Sequence, residues 1–392
     1  MSKERFLVID DEADVAEFIG NAGRVKNFEV RVTTDGQQFK TLLRSFNPSI
    51  ISLDLMMPEL DGIEILRFLA DEKSNAALLL VSGMDVRTLH TAERLAKSLN
   101  LNILGSMQKP IMLDDFDTII EKGMKSGSQI SAERLKAAIY DRELFLLYQP
   151  KLSLREDKIT LEGVEALVRW QHPEKGVIPP FEFIPLAEET GLIAPLTEYV
   201  LDEALEQVNK WQTDHGLTLD VSVNLAPQLL GDTSIPDRMN RLLSQHTVKS
   251  QQLTIEITET GLMQDIPTNV ANLMRFRVKG MNISIDDFGT GYSSLVQIFR
   301  MPFNELKIDK SFVMELDDNN EARTIVHAII DLAHNLGLSV CAEGIETESS
   351  LRYLQEQGCD LGQGFFMSRP IPAEEIPAWN VKWNKRSRLK KV

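Results

Sequence analysis

Acidic residues close one short apolar run after another in the second part of this chain. At or near the ends of these runs stand Glu165, Asn224, Glu256, Asp286 with Asp287, Lys307 with Asp309, Glu343 and Gln363. Brought to one cavity, so many carboxylates repel one another unless a cation neutralises them. An all-oxygen donor set selects Mg2+ or Mn2+ over Zn2+. Adjacent Asp286 and Asp287 suit two ions with one carboxylate bridging, the arrangement that clamps the attacking and leaving oxygens of an in-line phosphoryl displacement. Lys307 would lower the pKa of the attacking water or stabilise charge on the phosphate, and Glu343 would take the water's proton or hold the second ion. The residues alone leave both choices open. Glu259 follows Glu256 by one short step and is suited to tether the loop DDFGTGYSS, whose glycines and hydroxyls fit a turn beside a phosphate.

A different set ends the apolar runs near the N-terminus: Asp10 and Asp11, Asp54, Ser82 and Lys109. Asp10, Asp11 and Asp54 offer hard oxygen ligands for Mg2+, and Asp54 is the nucleophile suited to accept a phosphoryl group. The Ser82 hydroxyl and the Lys109 ammonium would hold the resulting phosphoryl oxygens.

Two groups of elements must position these side chains. Over residues 1–125 the runs RFLVID, EVRVTT, PSIISLDL, ALLLVSG and LNILGSMQKP alternate with helical patterns. That alternation predicts an α/β, doubly wound, flavodoxin-like parallel sheet, in which ligands collect beyond the carboxyl ends of the strands. From residue 144 to 380 the runs LFLLYQP, VEALVRW, LDVSVN, LTIEI, MNISID, ELKID, LSVCAE and CDLGQGF are separated by amphipathic helices, which predicts a TIM-type (β/α)8 barrel with its site where the strands end. KGMKSGSQI reads as a linker with a boundary near residue 128, so residues 126–143 form a linker and connecting helix. Residues 381–392 form a basic tail, expected to be solvated.

The first segment resembles a response-regulator receiver domain, through Asp10-Asp11, LDLMMPELDG around Asp54, VSG with Ser82, and Lys109-Pro110. The family usually has an aromatic switch residue where this chain has Ser106, so phosphorylation is expected to be coupled to output by another route. The second segment, from Leu144 to Pro372, resembles an EAL-type cyclic di-GMP phosphodiesterase domain. The matching stretches are Glu165-Ala166-Leu167 with Val168-Arg169-Trp170, SVNLAPQLL, TIEITETGL, SIDDFGTGYSSL, ELKIDKSFV, AEGIET and GCDLGQGFFMSRP. This resemblance implies hydrolysis of cyclic di-GMP to linear pGpG, with metal ligation by Glu165, Asn224, Glu256 and Asp286 and a second ion at Asp287. It implies that Lys307 activates the water, Glu343 acts as base or metal contact, and Glu259 anchors the loop after Asp286. Arg169 and Gln363 are its substrate contacts, and Asp309 is placed with them. A histidine kinase would supply the phosphoryl group to Asp54, and self-association is expected.

Composition sets the limits. With 58 acidic against 42 basic residues the formal charge is -16, which disfavours binding to DNA or anionic lipid. Two cysteines, Cys341 and Cys359, make no disulfide framework and fit a reducing cytoplasm. No stretch approaches the roughly 18 apolar residues of a membrane span. The histidines, including His172, lack metal-binding spacing and are read as structural or surface groups.

Overall fold

The computed structural model describes residues 4–57, 62–83, 101–113, 130–155, 159–259, 266–289 and 301–389, with scattered positions within 89–99 and 116–120. The chain divides into two compact units, Met1–Gln129 and Ile130–Val392. The linker expected across 122–130 lies outside the described residues, apart from Ile130.

The first unit is a parallel sheet of β1 (Arg5–Ile9), β2 (Glu29–Thr33), β3 (Ile50–Asp54), β4 (Ala77–Ser82) and β5 (Ile103–Gln108), in the order β2-β1-β3-β4-β5. Its central strands are near-continuous apolar runs because helices cover both faces. Leu7, Ile9, Ile51, Leu53, Leu78 and Leu80 belong to one core cluster, and Phe6, Val8, Ile50, Leu79 and Val81 to the other. Alternation along each strand divides its residues between the two cores. The strand order reverses beside β1 and β3, and the acidic residues close those two strands at that switch point.

The second unit is a closed barrel. Its strands are β6 (Leu144–Ser153), β7 (Thr160–His172), β9 (Asp220–Asn224), β10 (Leu253–Thr258), β11 (Asn282–Phe288), β12 (Glu305–Ile308), β13 (Ser339–Ala342) and β14 (Leu361–Gly362), while β8 (Gly176–Ile178) forms a hairpin with β7 outside the ring. One feature departs from a regular (β/α)8 barrel: β6 runs antiparallel to both of its neighbours, β7 and β14. The reason is local. Residues 154–159 are all that join β6 to β7, whereas a parallel neighbour needs a crossover of about a dozen residues or more. The helix 193–215 turns Leu196, Val200, Leu201, Ala204, Leu205, Val208 and Trp211 onto the barrel at helical spacing, and stops at Gly216 with φ +64°.

The strands β9 to β13 alternate apolar and polar residues. Val221, Val223, Ile255, Ile257, Ile283, Ile285, Leu306, Ile308 and Val340 join the outer core beneath the helices. The alternate residues Ser222, Glu256, Ser284, Asp286, Glu305 and Lys307 are also buried. By the pleat they face the barrel interior, which is therefore lined by buried polar side chains over these strands.

Packing redraws two boundaries. Helix 132–140 contributes Leu135, Ala138 and Ile139 to the barrel core, so it belongs to the second unit and is no free connector. The segment expected as a tail from 381 continues a helix that runs Ile376–Leu389. Trp383 is buried there, stacks on Trp379 with ring centroids 5.5 Å apart, and donates from Nε1 to Ile159 O at 3.2 Å.

Candidate active site

Lys307 is the centre of the barrel mouth. Its Nζ lies 2.7 Å from Glu256 Oε2, 2.6 Å from Glu343 Oε1, 3.2 Å from Asp286 Oδ1 and 3.6 Å from Glu165 Oε2. These carboxylates come from four strands or strand ends, and only β11 and β13 neighbour β12, so the contacts cross the interior. Two amides complete the frame. Gln363 Nε2 donates to Glu165 Oε2 at 2.7 Å and Glu343 Oε1 at 2.9 Å, and Asn224 Nδ2 donates to Glu165 Oε1 at 3.0 Å. Gln363 is held by its own backbone, with its N–H on Ala342 O and its carbonyl accepting from Ile345 N. The next residue must be glycine, since a Cβ at Gly364 would stand 2.2 Å from the Ile345 backbone.

Burial sets the electrostatics. Desolvation lifts the Glu256 carboxyl to about 8, with Glu165 and Asp286 adding repulsion that Lys307 only partly offsets. Glu343 rises to about 7 by desolvation, again with Asp286 and Glu165 nearby. At Glu165 burial also opposes charge, but Lys307 and the amides of Gln363 and Asn224 outweigh it and hold the carboxyl below its ordinary value. Asp287 rises to about 6, from burial first and then from Asp286 and Asp309. Lys307 stays charged, because its carboxylates more than repay the desolvation of its ammonium.

Consecutive residues of a regular strand point to opposite faces, so Asp286 and Asp287 need a backbone device to share the mouth. The register of β11 against β12 shifts between Ile285 and Phe288, and Asp287 takes a left-handed φ of 55°. This bulge lets one oxygen each of Asp286, Asp287 and Glu343 lie within 4.8 Å of one another. Glu259 Oε2 accepts from Gly289 N at 3.0 Å, so it does tie the segment after Asp287 to the end of β10. The remainder of that loop, 290–300, lies outside the described residues.

The donors fit divalent cations. Among the described residues, Glu256 Oε1 and Gln363 Oε1 are buried with no hydrogen-bond partner, and the cluster is all oxygen. Arg169 shares its strand face with Glu165, is half-buried, and donates to Val168 O at 2.8 Å. Asp309 caps the turn Lys310–Val313, accepting from Ser311 N at 3.0 Å and from the Ser311 hydroxyl. His172 is structural: its Nδ1 accepts from the backbone N–H of Glu174 and Lys175.

In the first unit Lys109 Nζ donates to Asp54 Oδ2 at 2.8 Å, Asp10 Oδ1 at 3.0 Å and Glu12 Oε1 at 2.7 Å. Desolvation raises Asp10 to about 6, against the pull of Lys109. Asp10, Asp11 and Asp54 offer oxygens within 4.8 Å of one another, and among the described residues Asp10 Oδ2 is buried without a hydrogen-bond partner, which fits a cation site. Ser82 is fully buried at the end of β4, and Ser106 lies mid-β5. Glu12 was not among the residues read from the sequence as part of this site. Sequence reading also gave no role to Lys151 and Glu305, which lie deeper in the barrel. For Glu305 the signal was the polar–apolar alternation of β12, Glu305-Leu306-Lys307-Ile308; Lys151, on β6, had none of that kind.

The EAL domain family model matches residues 132–370, and the response regulator receiver domain model matches 6–121. The chain is 41% identical over 261 residues to the bifunctional diguanylate cyclase/cyclic di-GMP phosphodiesterase MucR of Pseudomonas aeruginosa, and 36% identical over 253 residues to the cyclic di-GMP phosphodiesterase PdeR of Escherichia coli. Each match covers 66% and 64% of this chain respectively, but only 38% of either relative. Among solved structures, a MucR phosphodiesterase–c-di-GMP complex aligns with a TM-score of 0.59 at 41% identity, covering 62% of this chain and 98% of that one. An EAL domain protein from Listeria monocytogenes aligns with a TM-score of 0.56 at 28% identity, covering 64% and 98%. By the extent of these matches and the residues gathered at the barrel mouth, the chain belongs to the EAL domain family and carries a response regulator receiver domain ahead of the barrel.

Proposed function

We propose that the barrel is a cyclic di-GMP phosphodiesterase that opens one phosphodiester of its substrate to give linear pGpG. The observation that carries this reading is the convergence of Glu165, Glu256, Asp286 and Glu343 on Lys307, with Asp287 brought alongside by the bulge. Two relatives named as acting on cyclic di-GMP support the choice of substrate. Glu165, Asn224, Glu256, Asp286 and Asp287 would hold Mg2+ or Mn2+, which supplies Lewis acidity toward the phosphoryl oxygens. Lys307 orients the attacking water and offsets charge gathering on the phosphate. Glu343, its carboxyl raised to about 7, is placed to take the proton of the attacking water as the new P–O bond forms. The old P–O bond breaks, and the leaving sugar oxygen takes a proton from solvent to become the free hydroxyl of pGpG. Arg169 and Gln363 are the proposed substrate contacts, with Arg169 presenting its cation above Glu165 at the strand end. Asp309 is the third proposed substrate contact, its carboxylate held by the cap to Ser311.

The receiver unit is the proposed control element. A histidine kinase would phosphorylate Asp54, the cation held by Asp10, Asp11 and Asp54 would be Mg2+, and Ser82 and Lys109 would hold the phosphoryl oxygens. Among the described residues no helix is long and apolar enough to cross a membrane, and both cysteines are free and buried. A cytoplasmic homo-oligomer is the proposed form, to be checked by light scattering.

The decisive experiment incubates the purified chain with cyclic di-GMP and Mn2+ or Mg2+, then separates products by chromatography. The expected result is pGpG from the wild type, none with EDTA, and none from Glu165→Ala. Cyclic di-GMP left intact by the wild type, with and without a phosphoryl mimic at Asp54, would overturn the reading.

A further inference from the structure

Beneath the carboxylates of the mouth lies a second buried ammonium that the proposed reaction does not use. Lys151, on β6, is 4% exposed. Because β6 runs antiparallel, Lys151 pairs with Gly163, one inward position below Glu165, and so reaches the interior from the N-terminal side of the barrel. Its Nζ donates to Ser222 Oγ at 2.9 Å and to Glu305 Oε1 at 3.1 Å. It stands 3.9 Å from Glu256 Oε1, an oxygen with no hydrogen-bond partner. The other oxygen of that carboxylate takes Lys307 at 2.7 Å. Glu256 thus has a cation beside each of its oxygens, one bonded and one held off.

What holds Lys151 off is visible in its partners. Glu305 and Ser222 anchor the ammonium close enough to attract the Glu256 carboxylate, and too far to occupy Oε1. Lys151 and Glu305 together are neutral, so the pair adds little long-range field at the mouth, and its effect is confined to the Glu256 carboxylate 3.9 Å from the ammonium. A bare charge buried here would be costly, and this pair with its hydroxyl partner satisfies it.

We propose that Lys151, restrained by Glu305 and Ser222, is a positioning residue that orients Glu256 as a ligand for a divalent cation while leaving Oε1 open. This inference rests on the metal-dependent reading of the barrel. Groups that hold a metal ligand from behind typically change metal affinity about 10- to 100-fold when removed.

The test is calorimetric titration of Mn2+ into the full chain, with Glu256→Gln marking which heat belongs to the barrel. The variant Lys151→Met/Glu305→Gln removes the pair as a neutral unit, and Glu305→Gln alone frees the ammonium to close on Oε1. Both are expected to raise the barrel's Mn2+ dissociation constant by about 10-fold or more, with the KM for cyclic di-GMP at saturating Mn2+ unchanged. A merely structural pair would lower the melting temperature and leave the Mn2+ affinity alone. If the double variant does not fold, Glu305→Gln carries the test. Wild-type affinity in the folded variants overturns the role of Lys151. Identical titrations of wild type and Glu256→Gln overturn the metal-dependent reading and this inference with it.

Discussion

Asp286 and Asp287 are consecutive on one strand, yet their carboxylate oxygens lie within 4.8 Å of each other and of an oxygen of Glu343. The left-handed φ of 55° at Asp287 makes that possible. Aspartate and asparagine tolerate this conformation better than other residues with a side chain. The position therefore needs both a permissive backbone and a carboxylate.

Asp287→Asn separates these needs. It is expected to melt within about 0.5 kcal/mol of the wild type, while hydrolysis of cyclic di-GMP falls about 100-fold or more. Asp287→Ala should lose activity equally and cost about 1 kcal/mol of stability in addition. Chemical denaturation alongside product chromatography checks both, and an active Asp287→Asn would exclude the carboxylate from the reaction.

Lys307 is the shared partner of four carboxylates and offsets part of their mutual repulsion. Lys307→Met is expected to abolish turnover and, in EDTA, to cost about 3–5 kcal/mol because buried charges lose their partner. Mn2+ should then raise the melting temperature of the variant more than that of the wild type, since the ion takes over the missing compensation. Equal Mn2+ shifts in the two proteins would rule this out.

Asp220 lies at the opposite, N-terminal end of the barrel. Burial, followed by Glu162 and Glu305 and against Lys151, lifts its carboxyl to about 6, above the 3.8 of an ordinary aspartate. The folded state therefore favours the protonated form, and its contribution to stability is lost as pH rises from about 4 to 6. Asp220→Asn should be more stable than wild type above pH 6, by on the order of 1–2 kcal/mol, with the gap closing toward pH 4. Urea unfolding at several pH values measures it, and a gap independent of pH would assign the effect elsewhere.

Asp360 fastens β14 beside β6. Its Oδ2 accepts from Val340 N at 2.7 Å and pairs with His334 Nε2 at 2.9 Å, and its Oδ1 accepts from Arg155 Nε at 2.7 Å. Burial opposes its charge, but His334, the Val340 amide and Arg155 outweigh it and hold the carboxyl below its ordinary value. Its stabilising contribution is present above about pH 4 and fades as pH falls below that. Asp360→Ala is expected to cost about 2–4 kcal/mol at pH 7, read by denaturant titration, with a smaller gap at pH 3. A gap that stays constant on acidification would show that the ionised carboxylate is not what closes the barrel.

Much of this architecture is legible in the amino-acid sequence. Apolar runs at alternating spacing mark the receiver strands, and their terminal residues Asp10, Asp54, Ser82 and Lys109 fall at the carboxyl edge because a parallel sheet puts every such end on one side. The same rule brings Glu165, Asn224, Glu256, Asp286, Lys307, Glu343 and Gln363 together at the barrel mouth. Local order along the chain is enough for that, since it depends only on strand direction and pleat.

Other features depend on contacts between residues far apart in sequence. The antiparallel course of β6 is decided by a connection too short for a crossover, and it carries Lys151 in from beneath the site. Whether Asp286 and Asp287 face one way or two depends on a single left-handed residue and a register shift against β12. The shared position of Lys307 among four carboxylates, and the distance at which Glu305 and Ser222 hold Lys151 from Glu256, are fixed by barrel closure. Strand pairing and register set those distances, whereas residue type and spacing specify only which groups are present and which way their strands point.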